Sequence, residues 1–253
     1  MRTAEELRAV VAEALSELEL APELGSLADP VRYAVGGKLI RPVLGLATAE
    51  ALGVDLADAL PASLAVELVH SFSLVHDDLP ALDDDDVRRG KPTVHAEFGE
   101  RTAILVGDAL LAEAFRLVAA SDRAEVVREL ATSTLRMIGG QQLDFEGDAA
   151  RDDVHRLKTA ALFEAPVACA LALAGVPETE RGPWLAFATE LGLLFQVVDD
   201  ILDGDGFVEE LGLDGARALA DEHAARANAL IAELDVETPV LAALVDSLAT
   251  RTA

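Results

Sequence analysis

Apolar residues recur at helical spacing along most of the chain. Over residues 3–19, Leu7, Val10, Val11, Ala14, Leu15 and Leu18 keep a 3.6-residue period, which predicts an amphipathic helix. Gly36 and Gly37 then break the chain, and Pro42 suits the first turn of a helix running to about Leu52. Pro61 is expected to open the next helix, which runs to about Asp78 with Leu64, Leu68, Phe72 and Val75 on its stripe. The same reasoning predicts helices over 101–120, 123–138, 151–174, 184–203, 212–233 and 238–250. Glycines and prolines such as Gly147, Gly175, Pro177, Gly204 and Pro239 separate them. Stretches 64–75, 103–119, 161–174 and 184–202 are apolar on more than one face and should form the middle of a bundle. No linker, repeat or strand-rich half interrupts this pattern. The expectation is one all-α domain over residues 1–253, with roughly ten or more helices around a central cavity.

Composition narrows the possible partners. Twenty Lys+Arg against 46 Asp+Glu leave a net charge of −26, which argues against nucleic-acid binding through a broad basic surface and against a polybasic membrane anchor. Apolar residues make up 51% of the chain, enough for a sizeable core and too many for disorder. No run of 18 uncharged apolar residues occurs, so stable membrane insertion is not expected. The N-terminus lacks a signal-peptide core, and the single cysteine, Cys169, allows no intramolecular disulfide. The chain therefore reads as cytoplasmic. Its acidity and its three lysines fit either a high-salt habitat or a GC-rich genome.

Two acidic clusters carry the candidate chemistry. One is His76-Asp77-Asp78-Leu79-Pro80-Ala81-Leu82-Asp83, continuing through Asp84, Asp85 and Asp86. The other is Gln196-Val197-Val198-Asp199-Asp200-Ile201-Leu202-Asp203. Each ends an apolar helix, where uncompensated carboxylates are expensive. Asp199 and Asp203 stand four apart and share a helix face. Carboxylates one turn apart suit a hard cation that also bridges to phosphate, and magnesium is the natural guest. Cations lie near both clusters: Lys38 and Arg41 after the glycine break, Arg88 and Arg89 after the first cluster, and Lys158 beside Thr159. Arg gives bidentate phosphate contacts and Lys a point charge. The pattern suggests a metal–diphosphate site between opposing helices. On an apolar helix a lone histidine such as His70 is otherwise a core or capping residue.

Seven motifs then occur in one order. They are Gly-Gly-Lys-x-x-Arg-Pro from Gly36; Glu67-Leu-Val-His70 leading into His-Asp-Asp; Arg-Arg-Gly-Lys-Pro-Thr from Arg88; Leu105-Val-Gly-Asp108; Gly139-Gly-Gln141-x-x-Asp144; Leu157-Lys-Thr159; and Phe195-Gln-x-x-Asp-Asp-Ile-Leu-Asp203. Together they resemble the polyprenyl synthetases, the trans-isoprenyl diphosphate synthases. The spacing from Asp77 to Asp83 is similar to that of the bacterial short-chain subgroup. The resemblance implies an isoprenoid-synthase fold and a magnesium-dependent prenyltransferase, with about three ions bound beside the substrate. It also implies that Asp77, Asp83 and Asp199 hold metal, with Asp78, Asp200 and Asp203 in support. Arg88, Lys158 and Gln196 would contact an allylic diphosphate (dimethylallyl, geranyl or farnesyl), and Thr159 would lie beside the nascent cation. Lys38, Arg41, His70 and Arg89 would hold isopentenyl diphosphate. Gln141 and Asp144 would face the cavity, and the protein would be a homodimer, for which the apolar helices at 101–138 offer a face.

Product length is expected to depend on the helix before the first cluster. Residues four and five before Asp77 are Ser73 and Phe72, about 6–7 Å back along a helix. Ser73 is too small to block a growing chain, whereas the Phe72 ring resembles a floor that stops growth near C15, with C20 as second choice. The chain departs from the family pattern in one respect: no lysine follows Lys158, and the usual lysine-bearing loop after the second cluster is missing. That leaves open a non-catalytic subunit of a heteromeric synthase. A class I terpene cyclase would share the fold but would not need Lys38, Arg41, His70 and Arg89.

Overall fold

The protein is described by a computed structural model covering residues 1–147 and 154–252. Eleven α-helices occur among the described residues: α1 Ala4–Ser16, α2 Ala28–Ala34, α3 Ile40–Ala51, α4 Leu56–Asp77, α5 Val94–Phe98, α6 Glu100–Ala119, α7 Ala124–Glu146, α8 Ala161–Ala174, α9 Gly182–Asp203, α10 Phe207–Glu233 and α11 Pro239–Ala249. A π-helical turn, Arg156–Ala160, leads directly into α8. The described chain forms the expected all-α bundle, and the first residues of the helix expected at 151–174 lie outside the described residues.

The all-round apolar helices take the centre. In α8 every residue from Ala165 to Leu173 is buried, and the helix packs against α3, α4, α7 and α9. Helix α4 lies between α3 and α6, and α9 packs on α10. Helices Leu56–Asp77 and Arg156–Ala174 are long and apolar enough to cross a membrane by length and composition, but both are mostly buried in the bundle.

Several boundaries differ from the sequence reading, each for a local reason. Helix α4 starts at Leu56, with Pro61 inside it, because the Asp55 carboxylate caps it by accepting the Ala57 N–H at 3.1 Å. Helix α7 runs on through Gly139 and Gly140 to Glu146 and stops at Gly147, which turns left-handed. Helix α10 begins at Phe207, whose N–H is capped by Asp200 Oδ2 at 3.0 Å, and Gly212 kinks it. The stretch before Gly36 holds a 3₁₀ turn, Pro22–Leu27, and the short α2, neither long enough to show a periodic stripe.

After the first acidic cluster, Val87–Arg88 pairs antiparallel with Lys91–Pro92, a hairpin the sequence reading did not anticipate. Arg89 and Gly90 form its turn, both with positive φ (54° and 74°), as a two-residue turn of this twist requires. The turn throws the Arg89 side chain back to the Gly36 carbonyl, which it hydrogen-bonds.

Candidate active site

Two adjoining cavities open among α3, α4, α7, α9 and the π turn before α8. One, of about 540 Å³, is polar and is walled by Lys38, Arg41, Glu67, Arg89, Asp199 and Asp203 among others. The other, of about 390 Å³, is largely apolar and contains Phe72, Ser73, Asp77, Lys158, Thr159 and Gln196. They share Arg41, His70, Leu74 and Phe195, so the polar chamber and the apolar one adjoin across these side chains.

The two aspartate pairs are built alike. The first member of each, Asp77 and Asp199, lines a cavity and is half-buried. The second member is buried and serves the scaffold. Asp78 accepts Arg88 Nε at 2.6 Å. Asp200 Oδ1 accepts Gln196 Nε2 at 2.7 Å while its Oδ2 caps α10. Asp83 and Asp203 are exposed, Asp83 with its backbone N–H on the Asp77 carbonyl at 2.9 Å. Burial pushes the Asp77 carboxyl up to about 6; Lys158 opposes this, and neighbouring Asp83 and Asp78 add to it. Asp78 is raised by burial too, with Arg88 opposing.

The cations sort along the same space. Arg41 is buried, with its guanidinium 4.7 Å from the Phe163 ring centre and 5.6 Å from that of Phe195. Burial pulls it down to about 10, against the pull of Glu67 and Asp199, and its Nε is buried without a partner. A buried donor of this kind facing a cavity asks for an anion or water. Glu67 is buried, and burial raises its carboxyl although Arg41 and Arg89 oppose. His70 is held well below the usual imidazole range, first by burial and then by Arg41, Arg89 and Arg88. Lys38 Nζ reaches Asp199, and Arg88 also reaches Asp85 Oδ2 at 3.3 Å. On the apolar side, Lys158 Nζ lies 2.6 Å from Asp144 Oδ2 and the Thr159 hydroxyl donates to Gln196 Oε1 at 3.1 Å. The Ser73 hydroxyl turns back to the His70 carbonyl (2.9 Å), and the Phe72 ring meets His76 edge-to-face at 5.0 Å.

The structure thus brings together the residues expected on both substrate sides. Sequence reasoning had assigned no role to Glu67 or Phe195. The available signal for Glu67 was a carboxylate three residues before His70 inside an apolar helix. Phe195 stacks under two cations, which no spacing rule announces.

Among the described residues, no group of three or more His, Cys, Asp or Glu is gathered to hold a metal unaided. The carboxylates at the cavities, Asp77, Asp199 and Asp203 among them, offer hard oxygen donors, and Asp77 sits where bringing a full negative charge is resisted. Both facts fit a hard divalent cation that takes part of its shell from water and a phosphate-bearing substrate.

An all-helical bundle with paired aspartates at two helix ends and cations lining the space between them defines the class of an all-α isoprenoid synthase. The comparisons with known proteins agree. A polyprenyl synthetase family model matches residues 25–231. The farnesyl diphosphate synthase of Bacillus subtilis (strain 168) is 38% identical over 251 residues, covering 85% of this chain and 85% of that protein. The geranylgeranyl diphosphate synthase of Cyanophora paradoxa is 42% identical over 202 residues, covering 73% of this chain and 67% of that one. The crystal structure of a geranyltranstransferase from Thermotoga maritima superposes with a TM-score of 0.86 at 28% identity, covering 98% of each chain. The chain belongs to the polyprenyl synthetase family and is, with it, a trans-prenyltransferase.

Proposed function

We propose that the enzyme condenses isopentenyl diphosphate with dimethylallyl and then geranyl diphosphate, and releases farnesyl diphosphate, C15. The observation that carries this reading is the divided cavity. Its polar chamber suits a diphosphate beside Lys38, Arg41, His70 and Arg89, and its apolar chamber runs from Asp77 back to Phe72.

Asp77, Asp83 and Asp199 would hold the magnesium, with Asp203 in outer support; when bound, magnesium supplies charge that stabilises a departing diphosphate. Lys158, Arg88 and Gln196 bind and orient that diphosphate. Asp78 and Asp200 hold Arg88 and Gln196 in place. The Thr159 hydroxyl, fixed by Gln196, presents oxygen lone pairs towards the electron-poor carbon. Phe195, Leu162 and Met137 exclude water from it. Arg41 and His70, on the wall common to both chambers, hold the isopentenyl diphosphate so that its alkene meets the allylic carbon.

Ile104 and Leu105 of α6 and Leu135 of α7, the last 70% exposed, are apolar side chains open to solvent that packing of a second copy of the chain would cover. A homodimer is the assembly we propose.

The chain-length reading is tested by Phe72→Ala. Chromatography of dephosphorylated products should show C20 or longer alcohols with the first condensation intact. An active variant with an unchanged profile places the floor elsewhere.

A further inference from the structure

Lys158 and Thr159 sit on the π-helical turn Arg156–Ala160, and this turn is seated between two glycines. A methyl group on Gly140 of α7 would lie 2.3 Å from the Lys158 backbone N and 2.7 Å from Leu157 C, closer than any real Cβ contact. On α9, a methyl group at Gly192 would lie 3.0 Å from Ala160 Cα and 3.2 Å from the Phe163 side chain. The obstructing atoms at Gly140 are backbone, which cannot swing aside. A methyl group on Gly139, its neighbour, would meet nothing within 4 Å.

Each glycine is paired with a polar side chain four residues further on the same helix face. Four after Gly140 comes Asp144, whose Oδ2 lies 2.6 Å from Lys158 Nζ. Four after Gly192 comes Gln196, whose Oε1 accepts the Thr159 hydroxyl at 3.1 Å. Each helix therefore meets the turn twice, once by bare backbone contact and once through the side chain of the residue concerned. A π turn adds a residue to the helical cycle and redirects the side chains it carries. Close backbone contact on both sides fixes where that redirection points.

We infer that Gly140 and Gly192 are positioning residues for the allylic-diphosphate side, seating the π turn so that Lys158 and Thr159 reach the substrate. This rests on the reading above that Lys158 contacts the allylic diphosphate. The isopentenyl side is built on α3, α4 and the hairpin, so a fault at Gly140 should leave it alone, whereas Gly192 also touches Phe163, the ring under Arg41.

Calorimetric titration with dimethylallyl thiolodiphosphate, an allylic analogue that does not ionise, in the presence of magnesium, reads the seat without turnover. Gly140→Ala should weaken analogue binding about tenfold or more, and Lys158→Ala should do the same. The double variant should bind no worse than either single variant, because both remove one interaction. Gly139→Ala should bind as the wild type does, and the KM for isopentenyl diphosphate should stay within about threefold in the Gly139 and Gly140 variants. A folded Gly140→Ala protein with wild-type analogue affinity overturns the inference, as does an additive double variant. If Gly140→Ala does not fold, Gly192→Ala takes its place, since its nearest contact is milder; unchanged analogue binding there overturns the inference equally. If Lys158→Ala alone binds as the wild type does, it is the assignment of Lys158 that fails, and the seat loses its target with it.

Discussion

Lys38 Nζ lies 3.1 Å from Asp199 Oδ1, so a cation from the glycine break before α3 is paired with a carboxylate at the end of α9. Both side chains are over a third exposed. The pair therefore contributes little to stability, about 0–1 kcal/mol, and partners can be exchanged cheaply when ligands arrive. Lys158 with Asp144 repeats the arrangement, whereas Arg88 is held by the buried Asp78 as part of the scaffold. Lys38 and Lys158, both placed for diphosphate, are thus each paired with a carboxylate.

This relationship predicts a split effect for Lys38→Met. Removing the ammonium takes a point charge from the isopentenyl diphosphate and frees Asp199 for metal. The isopentenyl KM should rise about tenfold or more, while the magnesium concentration for half-maximal activity stays level or falls. Initial rates over a grid of both concentrations check this. A variant that needs more magnesium contradicts the exchange.

Asp77→Ala and Asp199→Ala should each remove an oxygen ligand facing the cavity. Loss of several kcal/mol of transition-state stabilisation corresponds to a rate drop on the order of 10³-fold or more. Either variant retaining more than about a tenth of wild-type kcat at saturating magnesium would dismiss that residue as a ligand.

His70 gives a pH signature. In the fold its imidazole titrates well below 6.5, because burial and the surrounding guanidiniums disfavour its charged form. Above about pH 6.5 the folded and unfolded states both hold it neutral, and its contribution is intact. As the pH falls through 6.5, the unfolded chain takes up a proton that the folded one refuses, and stability is lost by up to about 1.4 kcal/mol per pH unit. Urea unfolding of wild type and His70→Gln between pH 7.5 and 5.5 isolates this term from the raised carboxyls. The difference between them should shift in favour of the variant as pH falls. A difference independent of pH shows that His70 is not held neutral.

The bundle itself was legible because apolar periodicity is a short-range signal: Leu64, Leu68, Phe72 and Val75 need no knowledge of their neighbours to define a face. Asp77 and Asp199 were legible as aspartates closing apolar helices, where a bare charge demands a partner. What escaped depends on contacts between distant segments. That Asp78 and Asp200 turn inward to Arg88 and Gln196 could not be read from their place in an Asp-Asp pair, since both members of each pair look equivalent in sequence. Gly139 and Gly140 read as a helix end, whereas α7 passes straight through them to meet the turn at Leu157 and Lys158. Pro61 suggested a start that the Asp55 cap had already made.

The most direct measurement is incubation of the purified protein with magnesium, radiolabelled isopentenyl diphosphate and dimethylallyl diphosphate, followed by dephosphorylation and chromatography. The account predicts label in farnesol, two condensations on from the primer. Absence of any labelled prenyl alcohol from folded protein, or a hydrocarbon formed from an allylic diphosphate alone, would contradict it.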